Sequence, residues 1–197
     1  MELTGGRVRM TPGARRVVEA AERLFYAHGI HAVGVDLIAA EAGVTKKTLY
    51  DRFGSKEQIV VEYLAGRDGR WRAFLAERLE RLERPAAEAR VLAVFDASRQ
   101  WSGEFGAKGC AMVNAHAEIS DPGHPAYAVI AAQKTWMLEL FTGLVREAGA
   151  EDADSTARAL MLLHEGALVA HGLGMFPDPF AAARDQARAL LGGVRRS

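Results

Sequence analysis

Apolar side chains recur every three or four residues along almost the whole chain. That is the period of amphipathic helices, and no alternating run is long enough to predict a strand. Thr11-Pro12 supplies a start signal, a hydroxyl cap followed by proline at the first helical position. Val17, Ala21, Leu24 and Phe25 then follow at helical spacing until His28-Gly29 closes the segment. A second, short helix is expected from Val35 to Ala42, with Leu37, Ile38 and Ala42 apolar and Gly43 as its stop. Thr45 caps a third helix that ends near Phe53-Gly54. Ser55, with Glu57 and Gln58 behind it, opens a fourth.

The fourth helix is long. Val60, Leu64, Trp71, Leu75, Leu79 and Leu82 hold one stripe as far as Arg84-Pro85, while Glu77/Arg81 and Glu80/Arg84 form i,i+4 pairs on the wet side. Gly66 and Gly69 interrupt it, each costing about 0.5–1 kcal/mol relative to alanine. Further helices are expected over 86–102, 109–119, 123–148, 152–173 and 179–193, separated by glycine- and proline-containing segments. The pattern predicts an all-α protein: a three-helix unit over residues 10–54, then a larger helical domain over residues 55–197.

Composition narrows the possibilities. With 49% hydrophobic residues in 197, the chain can fill a real core. The one cysteine, Cys110, excludes an internal disulfide and fits a reducing compartment. No apolar run approaches the roughly 20 residues of a membrane span, and the polar start is unlike a secretory signal, so a cytoplasmic location is expected. The formal charge is zero, but it is unevenly spread. Residues 1–56 carry 9 Lys/Arg against 6 Asp/Glu, and the remainder carries the opposite imbalance.

The basic excess gathers in "GVTKKTLYDRFGSKE", residues 43–57, where Lys46, Lys47, Arg52 and Lys56 lie close together. Two short helices separated by Ala42-Gly43-Val44 have the spacing of a helix-turn-helix, which lays its second helix in the DNA major groove. A helix N-terminus attracts phosphate, and Thr45, Thr48 and Tyr50 add neutral hydrogen-bonding groups. Charge alone is equally compatible with a solvated helix face.

The run "VVEAAERLFYAHGIHAVGVDLIAAEAGVTKKTLYDRFGSKEQIV" resembles the N-terminal domain of the TetR family of transcriptional regulators. The resemblance implies a homodimeric DNA-binding repressor, not an enzyme, whose C-terminal domain binds a small effector and then releases the operator. Thr45, Lys46, Thr48 and Tyr50 match the positions of the family's recognition helix that touch DNA, and Lys56 matches a phosphate contact. Two positions depart from the pattern. Gly34 stands where the family usually has Ser or Thr, leaving a backbone N–H as the phosphate donor there. Lys47 stands where many members have a small residue, and its cation could reach either a guanine edge or a phosphate.

Candidates for an effector pocket are polar residues among apolar ones, Asn114, His116 and His164, together with the large apolar Trp71, Phe95, Met137 and Phe141. The six histidines show no metal-ligand spacing, so neither metal nor cofactor is expected. Cys110 reads as a small hydrophobe, Lys108 being its only basic neighbour in sequence. "TARALMLLHEGALVAHGLG" is apolar nearly all round, which predicts that the last two helices are covered by a second copy. Two other readings compete. One is a DNA-binding regulator governed by a protein partner; the other is an all-α enzyme using Glu118, Asp121, His116 and His124, for which no nucleophile or phosphate loop is present.

Overall fold

The computed structural model describes residues 8–82 and 86–193. The described residues form nine helices and no strand: α1 Pro12–His28, α2 Val35–Ala42, α3 Lys46–Phe53, α4 Lys56–Glu80, α5 Ala87–Phe105, α6 Ala111–Glu118, α7 Pro125–Glu147, α8 Ala153–Leu173 and α9 Pro179–Gly193. The all-α expectation holds, the signals read at Thr11, Gly43, Thr45 and Ser55 are in place, and α5 runs through Gly103 to Phe105, past its expected end at 102. Thr11 Oγ1 accepts from the Ala14 N–H, Thr45 Oγ1 from Thr48 and Ser55 Oγ from Gln58. Each such cap contributes about 1 kcal/mol by satisfying a donor that the first turn leaves open. The fourth helix ends at Glu80, and the expected Glu80/Arg84 pair lies outside the described residues.

Two compact units divide the chain, Met1–Gly69 with Ala111–Gln133, and Arg70–Cys110 with Lys134–Ser197. The division falls inside α4 and inside α7. In the first unit the core takes Val17, Ala21 and Phe25 from α1, Ile38 from α2, Leu49 and Phe53 from α3, and Ile59 and Tyr63 from α4. Leu37 departs from its expected role, being 49% exposed beside a fully buried Ile38. Eight residues make barely two turns, and Ile38, Ala39 and Ala42 already fill the inward side of α2. Two charged side chains are buried here: Glu62 accepts from the Val8 N–H at 2.8 Å, and Arg67 meets Glu22 at 3.3 Å and covers the Tyr26 ring.

The second unit is built on Trp71 and Leu75 of α4, Val91 and Phe95 of α5, Met137 and Phe141 of α7, Leu160 of α8, and Phe180 and Ala187 of α9. Burying each of the larger side chains is worth about 1.5–3 kcal/mol. Two glycines in it bring backbones close together. A Cβ on Gly109, where φ is +78°, would lie 2.8 Å from the Leu168 carbonyl oxygen; one on Gly172 would lie 2.9 Å from the carbonyl carbon of Lys108. The loop before α6 therefore sits directly on α8.

Gly109→Ala should lower stability by about 2–4 kcal/mol, since it combines a left-handed backbone with a contact that cannot yield. Gly149→Ala shares the +78° φ but meets nothing within 4 Å, and should cost only about 1–2 kcal/mol. Thermal unfolding of the two variants side by side checks this; equal losses would contradict the close packing of the loop on α8.

Candidate nucleic-acid interface

The geometry of α2 and α3 follows from one glycine and one threonine. Gly43 adopts the left-handed conformation (φ 62°, ψ 40°), and its N–H and that of Val44 bond back to Ala40 and Ala39 at 3.2 and 3.0 Å. The chain reverses within Gly43-Val44, and Thr45 immediately caps α3. Arg16 Nε donates to the Ala42 carbonyl at 3.2 Å and Arg23 pairs with Glu41 at 2.8 Å, so α1 holds the C-terminal end of α2. Leu49 and Phe53 are the buried residues of α3. At 100° per residue, the opposite side carries Lys47, Thr48 and Asp51, with Tyr50 on the flank, all exposed.

Two cations of this surface are already engaged. Lys46 Nζ contacts Asp36 of α2 at 3.0 Å, and this hydrogen bond and the carboxylate's charge raise the lysine above its ordinary value. Lys47 Nζ donates to Asp51 Oδ2 at 2.7 Å. Both pairs are exposed; each is worth at most about 1 kcal/mol. The Thr45 and Thr48 hydroxyls lie 2.8 Å apart. Tyr50 is 41% exposed. Gly34 caps α2 without a side-chain bond. Lys56 is half-buried, its ammonium 5.9 Å from the Phe25 ring centroid. It borders a cleft of about 300 Å³ lined also by Ile30, Glu57, Glu118 and His124.

That cleft contains a contact no sequence pattern announces. Glu118, at the C-terminal end of α6, accepts from the backbone N–H groups of Ile30 and His31 at 2.8 and 2.7 Å, and lies 3.1 Å from His31 Nδ1. It thereby fixes the loop that leads from α1 into α2. Burial pushes this carboxyl up, but the N–H donors and the His31 ring outweigh it and leave it below its ordinary value. Of the residues imagined for acid–base chemistry, Glu118 has this anchoring contact, Asp121 accepts from the Gly123 N–H, and His124 Nδ1 accepts from Ala126 at the start of α7.

The effector candidates divide between the units. Phe95 and Phe141 pack with centroids 5.9 Å apart, and the buried His164 ring lies 6.0 and 5.8 Å from them. Trp71 donates its indole N–H to Met137 Sδ at 3.4 Å. Asn114 and His116 are on α6 in the first unit, both exposed. His164 shares a 2.8 Å hydrogen bond through Nε2 with Ser98, while its buried Nδ1 has no hydrogen-bond partner and lies 3.7 Å from Glu165. Glu165 takes both oxygens to Lys134, at 2.8 and 2.9 Å. Burial raises this carboxyl, yet His164 and the Lys134 ammonium hold it down to about 2. Lys134 also donates to Cys110 Sγ at 3.3 Å, so the cysteine's basic neighbour comes from α7 rather than from Lys108. Among the described residues no group of His, Cys, Asp and Glu could hold a metal, and no helix is long and apolar enough to cross a membrane.

A capped helix-turn-helix with an exposed second helix, in an all-helical chain, defines a class of DNA-binding transcriptional regulators. Comparison with known proteins names the family. The profile for bacterial regulatory proteins of the tetR family matches residues 17–63. A TetR-family transcriptional regulator from Streptomyces coelicolor is 36% identical with a TM-score of 0.80, the match covering 94% of this chain and 95% of that one. A TetR-type regulator from Streptomyces avermitilis is 28% identical with a TM-score of 0.81, over 94% and 99% of the two chains. The reduced form of NemR from E. coli shares the fold at 20% identity and a TM-score of 0.79, over 91% and 96%. No curated protein matches the chain. This chain belongs to the TetR family of transcriptional regulators.

Glu118→Ala should destabilise the protein by about 1–3 kcal/mol at neutral pH, since two backbone N–H groups lose their acceptor. The carboxyl is lowered from its ordinary 4.5, so its contribution is complete above that value and is lost as pH falls through the lowered one. The difference in unfolding temperature between wild type and variant should therefore shrink below about pH 4.5. A difference unchanged down to pH 3 would show that the charge on Glu118 contributes nothing.

Proposed function

We propose that the protein is a repressor that binds an operator as a homodimer and is released from it by a small-molecule effector. The observation that carries this reading is the exposed surface of α3 and its cap, where Thr45, Lys46, Lys47, Thr48 and Tyr50 are accessible while Leu49 and Phe53 hold the helix from behind. With Gly34 and Lys56 at its flanks, this surface supplies hydrogen-bond donors and positive charge to a duplex. Functionally, residues 10–54 act as the DNA-binding domain and residues 55–197 carry effector binding and dimerisation.

The effector occupies the aromatic interior around Trp71, Phe95, Met137, Phe141 and His164. Support comes from the buried His164 Nδ1, a polar atom that gains from a hydrogen-bonding ligand. Gly69 fits this reading as a soft point, since the units divide after it and a Cβ there would meet nothing within 4 Å. A gel shift with duplex fragments from upstream of the reading frame tests the reading. Binding should be specific, should weaken on Lys56→Ala more than on Tyr50→Phe, and should be reversed by a low-molecular-weight cell extract. Reversal by the protein fraction alone would favour a protein partner over a small effector.

Dimerisation through α8 and α9 is supported by what they leave uncovered. Leu162, Val169 and Leu173 are 74, 44 and 72% exposed, and Gly166 lies exposed between them. Positions 162, 166, 169 and 173 are spaced 4, 3 and 4 apart, the repeat of a helix seam meeting another helix. Leu190 of α9 adds to it at 40% exposure. Ala167 is 4% exposed and packs into its own chain's core, so the seam is one residue to the side of it. Leu162→Glu/Leu173→Glu should yield monomers by sedimentation with helical content intact, and operator affinity should fall by 10²-fold or more, roughly the avidity lost when two linked half-sites separate. A dimer that persists in this variant would move the interface elsewhere.

A further inference from the structure

Asp51 is an odd residue to find where it is. Leu49 and Phe53 set the buried side of α3, and the direction opposite to them passes between Lys47 and Asp51. A carboxylate that is 62% exposed thus stands at the centre of the side turned outward, held 2.7 Å from the Lys47 ammonium. Helix stability does not account for it. Exposed i,i+4 pairs add little, and lysine preceding the acid is the weaker order. Attraction to DNA does not account for it either, because a carboxylate repels phosphate and occupies a cation that would otherwise attract it.

The chemistry of base edges does account for it. A carboxylate can only accept hydrogen bonds, and the major groove offers it the amino groups of cytosine N4 and adenine N6. Adenine N7 and guanine N7 and O6 present lone pairs that repel it, which leaves cytosine as the best-matched edge. Lys47 can only donate, and its matching edge is guanine O6/N7. From the ion pair we infer that Asp51 is a specificity-determining residue: it accepts from a cytosine amino group in each half-site while Lys47 donates to a neighbouring guanine. The inference rests on the reading of α3 as the recognition helix. In the absence of a matching site the two side chains satisfy each other, which keeps Lys47 off random phosphates.

Selection of sites from a random duplex library by the full-length wild type, Asp51→Ala and Asp51→Asn tests this. Wild type should select a motif with one cytosine per half-site, against substitutes disfavoured by roughly 5- to 150-fold. Asp51→Ala should lose preference at that position alone, and should bind unrelated duplex more tightly, with a salt slope steeper by about one phosphate contact. Asp51→Asn should move the preference to adenine, whose N6/N7 edge suits an amide. Both variants should melt like wild type, the side chain being exposed. If wild type selects no motif, the recognition-helix reading itself fails. If wild type selects a motif and Asp51→Ala selects the same one, or loses discrimination evenly at every position, the inference about Asp51 is overturned.

Discussion

The docking of Leu49 and Phe53 is the contact on which the outward surface of α3 depends. An eight-residue helix is too short to persist alone in water, where stable helices need about 12–15 residues. What keeps α3 helical is the burial of these two side chains, 0 and 5% exposed, assisted by the Thr45 cap. Because they are four residues apart they also fix its rotation. A turn of 100° about the helix axis would bring the next residue in sequence outward and bury a polar one. Packing behind the helix therefore decides which side chains stand in front of it.

The position of α3 relative to α2 is over-determined by independent means. Gly43 supplies the left-handed turn at no steric cost, Arg16 takes the last carbonyl of α2, and the Lys46–Asp36 pair bridges the two helices on the outside. The loop entering α2 is held in turn by Glu118. None of these contacts is individually strong. Together they leave little freedom for a motif whose helices are each barely two turns long.

Much of this was legible in the sequence, for a physical reason. Caps, left-handed glycines and apolar period are local, so Thr11-Pro12, Gly43, Thr45 and Ser55 could be read where they stand, and the family resemblance rests on the same segment. The contacts that escaped are long-range. Glu118 reaches back to Ile30 and His31 across 88 and 87 residues, and Lys134 meets Cys110 and Glu165 from a separate helix. Leu37 escaped because a two-turn helix cannot bury its whole apolar set. Lys47 and Asp51 are a different case: their i,i+4 spacing is local, but spacing alone does not decide whether the lysine meets the acid or an external anion.

Internal compensation has a consequence for a chain of zero formal charge. Non-specific attachment to DNA draws nearly all its free energy from counterion release by free cations. Pairing Lys46 with Asp36 and Lys47 with Asp51 reduces that term before any base is read. A regulator must find its operator among a vast excess of other sequence, so a weak background is as useful as a strong target. On the reading of α3 as the recognition helix, the acids beside its lysines cost affinity everywhere and recover it only where base edges replace them. Discrimination then comes from exchanging one set of partners for another, and a surface with its charges left bare could not make that exchange.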